Sequence, residues 1–234
     1  MLQFYAYRLA VRPGFSLLHT GGKLFQQYVV DAYVKTEGSR LQFLRYNQSS
    51  LRVEQYQRLI DHIANRAAHD NVQPGRTVIL PSTFIGSPRN MQQNFQDAMA
   101  IVRKYGKPDL FITFTCNPQW PEIANNIQEG QKVEHRPDLI VRVFHLKLKS
   151  LITDLKNNCV LGTPVAHVHV CEFQKRGLPH AHILVILRSE DKFRNREDID
   201  KAVSAELPDP VKCPRLHAIV TRSMIHGPCG ALNP

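Results

Sequence analysis

The stretch CEFQKRGLPHAHILVIL, residues 171–187, combines a glutamate, a turn glycine and two histidines within an otherwise apolar run. The segments on either side of its polar QKRGLP portion are rich in β-branched and apolar residues, which predicts a β-hairpin. If the turn is a three-residue loop with Gly177 in the left-handed conformation, Glu172 falls opposite His180. The register of this hairpin therefore decides which side chains meet.

Side chains alternate across a strand, so this register places Glu172, His180 and His182 on one face of the sheet. Two imidazoles and a carboxylate leave coordination positions open, as in catalytic metal sites. The simpler interpretation is that the histidines pack in the core and the glutamate is solvated. His167 and His169 should project from the opposite face as core or DNA-facing polar groups. A one-residue change in loop length would reverse both assignments.

Several segments match one known family. EFQKRGLPHAHIL resembles the His-hydrophobe-His (HUH) signature of replication-initiator and relaxase endonucleases, and GLPHAHIL is similar to the Rep domain of Helitron rolling-circle transposases. PDLFITFTCNPQWPEI, residues 108–123, resembles the first Rep motif of Helitrons. The stretches FYAYRL, GGKLFQQYVVDAY and HGPCGALNP resemble the Helitron helicase-like N-terminal region, so the resemblance covers nearly the whole chain.

The resemblance implies a chemistry and a ligand set. A divalent ion, Mg²⁺ or Mn²⁺, would be held by Glu172, His180 and His182, and the same Glu-x7-His-x-His spacing in plant single-stranded DNA virus initiators supports the glutamate. A tyrosine hydroxyl would attack single-stranded DNA and become linked to its 5′ phosphate. The ion preference comes from the family, since imidazole also suits zinc.

The nucleophile is not in its expected place. Helitrons carry a tyrosine pair on a helix downstream of the His-x-His strand, whereas every tyrosine here lies upstream of it. No catalytic residue is therefore assigned, and we expect the chain to be truncated before the catalytic tyrosine motif. No Walker sequence is present either, so a downstream helicase domain is an implied partner, and the nucleus an implied location. The tyrosines are Tyr5, Tyr7, Tyr28, Tyr33, Tyr46, Tyr56 and Tyr105.

Composition narrows the class of protein. A chain of 234 residues with 43% hydrophobic content is long and apolar enough to form a globular core. The net charge of +10 favours a polyanionic partner such as nucleic acid. No apolar run approaches the roughly 20 residues of a membrane span, and no signal peptide is evident. We therefore expect an intracellular protein without membrane association, whose five cysteines are reduced thiols.

Strands interleaved with helices predict an α+β fold, with a mostly antiparallel central sheet flanked by helices and an HUH endonuclease-like arrangement. Helical spacing in residues 1–70, including VEQYQRLIDHIANRAA, predicts a helical N-terminal region. Residues 71–234 should then form the Rep/HUH-like domain. Within it we predict a strand in TVILPSTF, a helix in PRNMQQNFQDAMAIVRKYG, a strand in DLFITFT and a long helix before the hairpin.

The long helix, RPDLIVRVFHLKLKSLITDLKNN, is the best local candidate for holding DNA. Arg142, His145 and Lys149 form one basic face, and Lys175 and Arg176 at the hairpin tip are secondary candidates. A solvated charged face is the alternative. The residues expected to face the sheet are Leu139, Val143, Leu146 and Ile152.

Structural zinc is a further possibility near the C-terminus. Cys213, His217, His226 and Cys229 supply four ligands in a C-x3-H-x8-H-x2-C arrangement, which is not a usual zinc spacing.

Two classes of function remain open. The chain is either the metal-bearing part of a DNA nicking and strand-transfer nuclease, or a catalytically inactive DNA-binding or interaction module derived from one.

Overall fold

The computed structural model describes residues 1–48, 78–174 and 177–225. Contacts between residues divide the chain into two compact units, Met1–Ser189 and Glu190–Pro234. The predicted boundary between residues 70 and 71 lies outside the described residues and stays a prediction, as does the helix predicted in VEQYQRLIDHIANRAA.

The described residues form seven α-helices, three strands and a short 3-10 turn. In the first unit these are α1 (Leu2–Leu9), α2 (Lys23–Tyr46), α3 (Pro88–Tyr105), β1 (Leu110–Thr115), α4 (Pro121–Ala124), the 3-10 turn Val133–His135, α5 (Pro137–Lys156), β2 (Pro164–Phe173) and β3 (Pro179–Leu187). In the second unit they are α6 (Arg196–Ala202) and α7 (Pro214–Ser223). No helix in the described ranges is both long and apolar enough to cross a bilayer.

Local sequence explains where α3 begins and ends. The Ser87 hydroxyl accepts a hydrogen bond from the backbone N–H of Asn90 at 3.1 Å, and Pro88 occupies the first turn, where its missing N–H costs nothing. Gly106 follows the last turn with a φ of +93°, a conformation that side-chain-bearing residues rarely adopt. α3 therefore delivers the chain directly to the start of β1.

The three strands form one antiparallel sheet in the order β1-β3-β2. β3 is central because most of its residues are apolar, and its second half, Val185–Leu187, is buried throughout. β1 alternates between half-buried and exposed side chains, as expected of an edge strand with one solvated face. The prediction of an α+β fold with an antiparallel sheet flanked by helices is confirmed.

The hairpin between β2 and β3 has the predicted register. Gln174 donates its backbone N–H to the Leu178 carbonyl at 3.0 Å, and Gly177 has a φ of +76°. Glu172 is consequently paired with His180. The alternation of the strands then assigns every side chain of the hairpin to one face or the other.

One face of the sheet is covered by α5. The ring of Phe144 on α5 stacks on Phe114 of β1, with centroids 5.5 Å apart. Phe114 shares its face with Ala181 and Ile183, which are fully buried. This side of the sheet, which we call the packed face, holds the core; the other side is the ligand face.

The apolar stripe of α5 differs from the prediction. Val143 is buried as expected, but Leu146 is 61% exposed, so its predicted contact with the sheet is wrong. Leu146 follows Arg142 by one turn of helix and lies on the same outer side. The buried residues of α5 are Ile140, Val143, Phe144, Leu148 and Leu155.

A second prediction fails ahead of α3. Residues 78–84 of the predicted strand TVILPSTF form irregular backbone and turns. Pro81 has no N–H for a strand ladder, and its carbonyl instead accepts a hydrogen bond from Phe84 at 3.0 Å, which closes a turn. Turn formation therefore prevails over the β-branched composition of this segment.

Candidate metal centre

Glu172, His180 and His182 converge on the ligand face. We call these three residues the metal group, because their side chains are of the types that bind metal ions. One ligand atom from each lies within 4.8 Å of the others, and this is the one such group of three in the described part of the chain. The two imidazole Nε2 atoms are 3.0 Å apart. Oε2 of Glu172 lies 3.4 Å from Nε2 of His180 and 3.8 Å from Nε2 of His182.

These separations fit neighbouring ligands of a single small cation. With ion-to-ligand bonds of about 2.1 Å, two ligands are about 3.0 Å apart at a right angle and about 3.4 Å apart at a tetrahedral angle. The pair of nitrogens and the His180–Glu172 pair match these values, and the third separation is a few tenths of an ångström wider. A small turn of the exposed Glu172 side chain closes that difference.

The three side chains differ in how firmly the fold holds them. The side chain of His180 is 14% exposed and that of His182 is 29% exposed, whereas that of Glu172 is 57% exposed. The imidazoles are therefore fixed by packing, while the carboxylate is adjustable. The group opens to solvent on the glutamate side, which leaves room for a further ligand.

His182 has two supporting contacts from β1, and His180 has fewer. The Thr113 hydroxyl lies 3.3 Å from Nδ1 of His182, and the Phe111 ring stacks on the imidazole with centroids 5.3 Å apart and planes 12° from parallel. Both contacts turn Nε2 of His182 toward the group. Nδ1 of His180 is buried and has no hydrogen-bond partner within the described residues.

Phe111 and Thr113 are site neighbours that sequence reasoning missed. They occupy alternate positions of LFITFT and share the ligand face because Thr113 pairs with His182 across β1 and β3. The alternation was visible in the sequence, but the pairing of two strands about 70 residues apart was not.

His167 and His169 lie on the packed face, as predicted. Their rings stack with centroids 5.8 Å apart. Burial lowers the pKa of His167, and the positive charge of Lys156 and the neighbouring His169 lower it further. His167 is therefore neutral at pH 7 and serves packing on that side of the sheet.

The basic candidates do not join the metal group. Arg142, His145 and Lys149 are exposed as predicted, but they project from α5, which covers the packed face. The sheet thus separates them from Glu172 and the two histidines. Lys175 and Arg176 lie outside the described residues, and DNA contact by either set stays a prediction.

The segment 108–123 forms the strand predicted in DLFITFT, followed by a turn and the start of α4. Cys116 follows β1 and is buried, which raises the pKa of its thiol to about 11, so it stays protonated and is no nucleophile at neutral pH. Trp120 stacks on Phe114 with centroids 5.7 Å apart, and the Lys147 ammonium lies 5.0 Å from the indole centroid. Trp120 therefore packs the start of α4 against the core.

The possible zinc site is described in part. The backbone N–H of His217 donates to the Cys213 carbonyl at 2.9 Å, and Nδ1 of His217 donates to the Pro208 carbonyl at 2.8 Å, which leaves Nε2 available. His226 and Cys229 lie outside the described residues. Structural zinc here stays a prediction.

Comparison with known proteins supports the resemblance to Helitrons. No curated protein matched the chain. A family model described as the Helitron helicase-like domain at the N-terminus matches residues 4–185, well over half of the chain, and this range includes the three strands down to Val185 and all three residues of the metal group. The chain therefore belongs to the Helitron helicase-like N-terminal domain family.

Proposed function

We propose that this chain is the metal-binding part of an HUH-type endonuclease, which nicks single-stranded DNA and transfers the cut strand during transposition. The observation that carries the proposal is the convergence of Glu172, His180 and His182 within 4.8 Å on an accessible sheet face. Family membership supports the link to transposition, and the net charge of +10 supports a nucleic-acid partner.

Each residue of the group has a distinct part in this proposal. His180 and His182 present Nε2 lone pairs from the central strand, and Glu172 adds a negative charge from an adjustable side chain. A bound Mg²⁺ or Mn²⁺ would polarise a phosphodiester and stabilise the negative charge that develops on it during cleavage. The open glutamate side leaves space for the phosphate oxygen.

Strand transfer also requires a nucleophile. The six described tyrosines all lie in α1, α2 and α3, and none is on a strand of the sheet. We propose that a tyrosine from the downstream part of a longer transposase, which also carries a helicase domain and acts in the nucleus, completes the reaction. The same placement of tyrosines favours the second candidate, a module that binds DNA without cutting it.

Calorimetric titration with Mn²⁺ tests the metal group. Wild-type protein should bind one ion, and His180→Ala or His182→Ala should abolish binding because each removes one of three ligands. His167→Ala and His169→Ala are the matched controls, since this second His-x-His pair lies on the packed face of the same hairpin. Equal Mn²⁺ affinity in all four variants would contradict the assignment and favour the DNA-binding module.

A further inference from the structure

The ligand face has a polar end and an apolar end. The polar end carries the metal group together with Thr113 and Thr115 of β1. The next row of paired residues along the strands is apolar and consists of Phe111, Leu184 and Val168. Rows on one face of a sheet are about 7 Å apart, so the two ends are immediate neighbours.

Phe111 is unusual within this apolar row. It is 63% exposed, whereas Leu184 and Val168 are half-buried. Of the three phenylalanines in the strands, it is the one on the ligand face, because Phe114 and Phe173 belong to the packed face. Its ring is nonetheless held in place by the stack on His182. The fold thus presents an oriented aromatic surface to solvent beside the metal group.

A nucleotide of an unpaired strand has one group that suits the metal group and another that suits the Phe111 ring. Its phosphate is anionic and its base is a flat aromatic ring, and the two are joined through a single sugar. Aromatic side chains on an open sheet commonly stack on exposed bases, and such stacking tolerates any base sequence. A duplex keeps its base faces stacked on each other and offers no such partner.

We propose that Phe111 stacks on a base of single-stranded DNA next to the phosphate held at the metal group. The placement of that phosphate rests on the proposed function, whereas the stacking contact rests on the exposure of Phe111 and its position in the neighbouring row. The contact selects unpaired DNA and fixes the position of the strand along the sheet. Specificity for single strands then arises on β1, beside the ligands.

Binding of a short fluorescent single-stranded oligonucleotide to the 234-residue chain tests the contact. Phe111→Ala should weaken binding about tenfold, within the range measured for loss of one stacked base. Phe111→Trp should bind within about twofold of wild type, because indole also stacks. Phe173→Ala is the matched control, since Phe173 has the same exposed fraction, 63%, on the opposite face. It should change affinity less than twofold.

Replacing the bases one at a time with abasic sites tests the same contact without altering the protein. One position should cost wild type about tenfold in affinity, and the same position should cost Phe111→Ala less than twofold. The Phe111 effect should also persist at high salt, which screens phosphate contacts but not stacking. Binding that no abasic position weakens, or a Phe111→Ala loss that is equal for intact and abasic strands, would overturn the proposal.

The Mn²⁺ titration separates this proposal from the proposed function. Phe111→Ala keeps all three ligands and loses only the stack on His182, so it should still bind Mn²⁺, with a lower affinity than wild type. If wild type binds Mn²⁺ but Phe111→Ala binds DNA as tightly as wild type, the stacking proposal is wrong and the metal group stands. If the base-dependent loss occurs in a protein that binds no Mn²⁺, the metal group is wrong and the stacking contact stands.

Discussion

His182 is held from two sides by β1, one contact being polar and the other aromatic. The Thr113 hydroxyl meets Nδ1, and the Phe111 ring covers one face of the imidazole. A hydrogen bond at the far nitrogen fixes the tautomer of a metal-binding histidine and orients its free lone pair. Thr113 is therefore a positioning residue for the metal group.

Thr113→Val should lower Mn²⁺ affinity by up to about tenfold, at the weak end of the range for such supporting contacts because the 3.3 Å bond is long. Valine keeps the shape and strand preference of threonine, so the free energy of unfolding should change little. Calorimetry measures the affinity. Thr115→Val is the matched control, since Thr115 lies on the same face of the same strand. Equal losses in both variants would show that Thr113 has no special role.

At the scale of single residues, the sequence predicted the side-chain positions that depend only on the register of the β2–β3 hairpin. The convergence of Glu172, His180 and His182 was predicted because one short turn connects their strands. Thr113 and Phe111 were missed because their place depends on the pairing of β1 with β3, which is set by packing of distant segments. Alternation along one strand predicts which face of the sheet a side chain occupies. Its neighbours on other strands are known only from the folded sheet.

Among the elements, the β2–β3 hairpin depends on the conformation of Gly177. Its φ of +76° lies in the left-handed region, where a Cβ atom raises the energy by roughly 1–2 kcal/mol. Apart from its two chain neighbours, no atom of the described residues lies within 4 Å of the Cβ position, so the strain is of the backbone. The loop and the register it sets therefore favour glycine at this position.

Gly177→Ala should lower the free energy of unfolding by roughly 1 kcal/mol. Gly38→Ala is the control with the opposite sign. Gly38 lies inside α2, and within the described residues nothing is within 4 Å of its Cβ position, so alanine there should raise the free energy of unfolding by roughly 0.5–1 kcal/mol. Urea denaturation measures both. A neutral or stabilising Gly177→Ala would contradict the left-handed loop, and with it the pairing of Glu172 with His180.

The elements also show where sequence patterns mislead. The long helix was located correctly, but Leu146 was assigned to the wrong side because apolar residues occur all round α5. TVILPSTF has the composition of a strand, yet Pro81 and the turn that follows it break the ladder. In both cases the sequence showed that the segment is apolar. Which structure it adopts and which side chains are buried depended on contacts with other parts of the chain.

On the scale of the whole molecule, the two faces of the sheet have different roles: one packs against the core and the other carries the metal group. α5 and the core residues occupy the packed face, and the metal group occupies the other. The described tyrosines belong to helices and not to the sheet, and Tyr56 lies outside the described residues. The strands thus bring Glu172, His180 and His182 together without contributing a tyrosine.

This 234-residue chain should consequently form no covalent adduct with DNA. Transesterification requires a hydroxyl in line with the leaving oxygen, and a bound ion does not replace it. The chain is mixed with labelled single-stranded DNA and Mn²⁺, denatured, and examined for a protein-linked band. A chain extended by the natural downstream sequence is the positive control. An adduct from the short chain that disappears in His180→Ala would contradict the prediction.

The position of His180 and His182 on the central strand has a consequence for how such a gene decays. They alternate with Ala181 and Ile183, which are fully buried. In this part of the strand, one set of side chains fills the core and the other set faces the metal group. Large substitutions at Ala181 or Ile183 disturb the core, whereas substitutions at His180 or His182 remove the proposed metal ligands. We therefore expect a transposon copy that has lost both histidines still to encode a folded domain, which selection could then retain for a role that needs no metal.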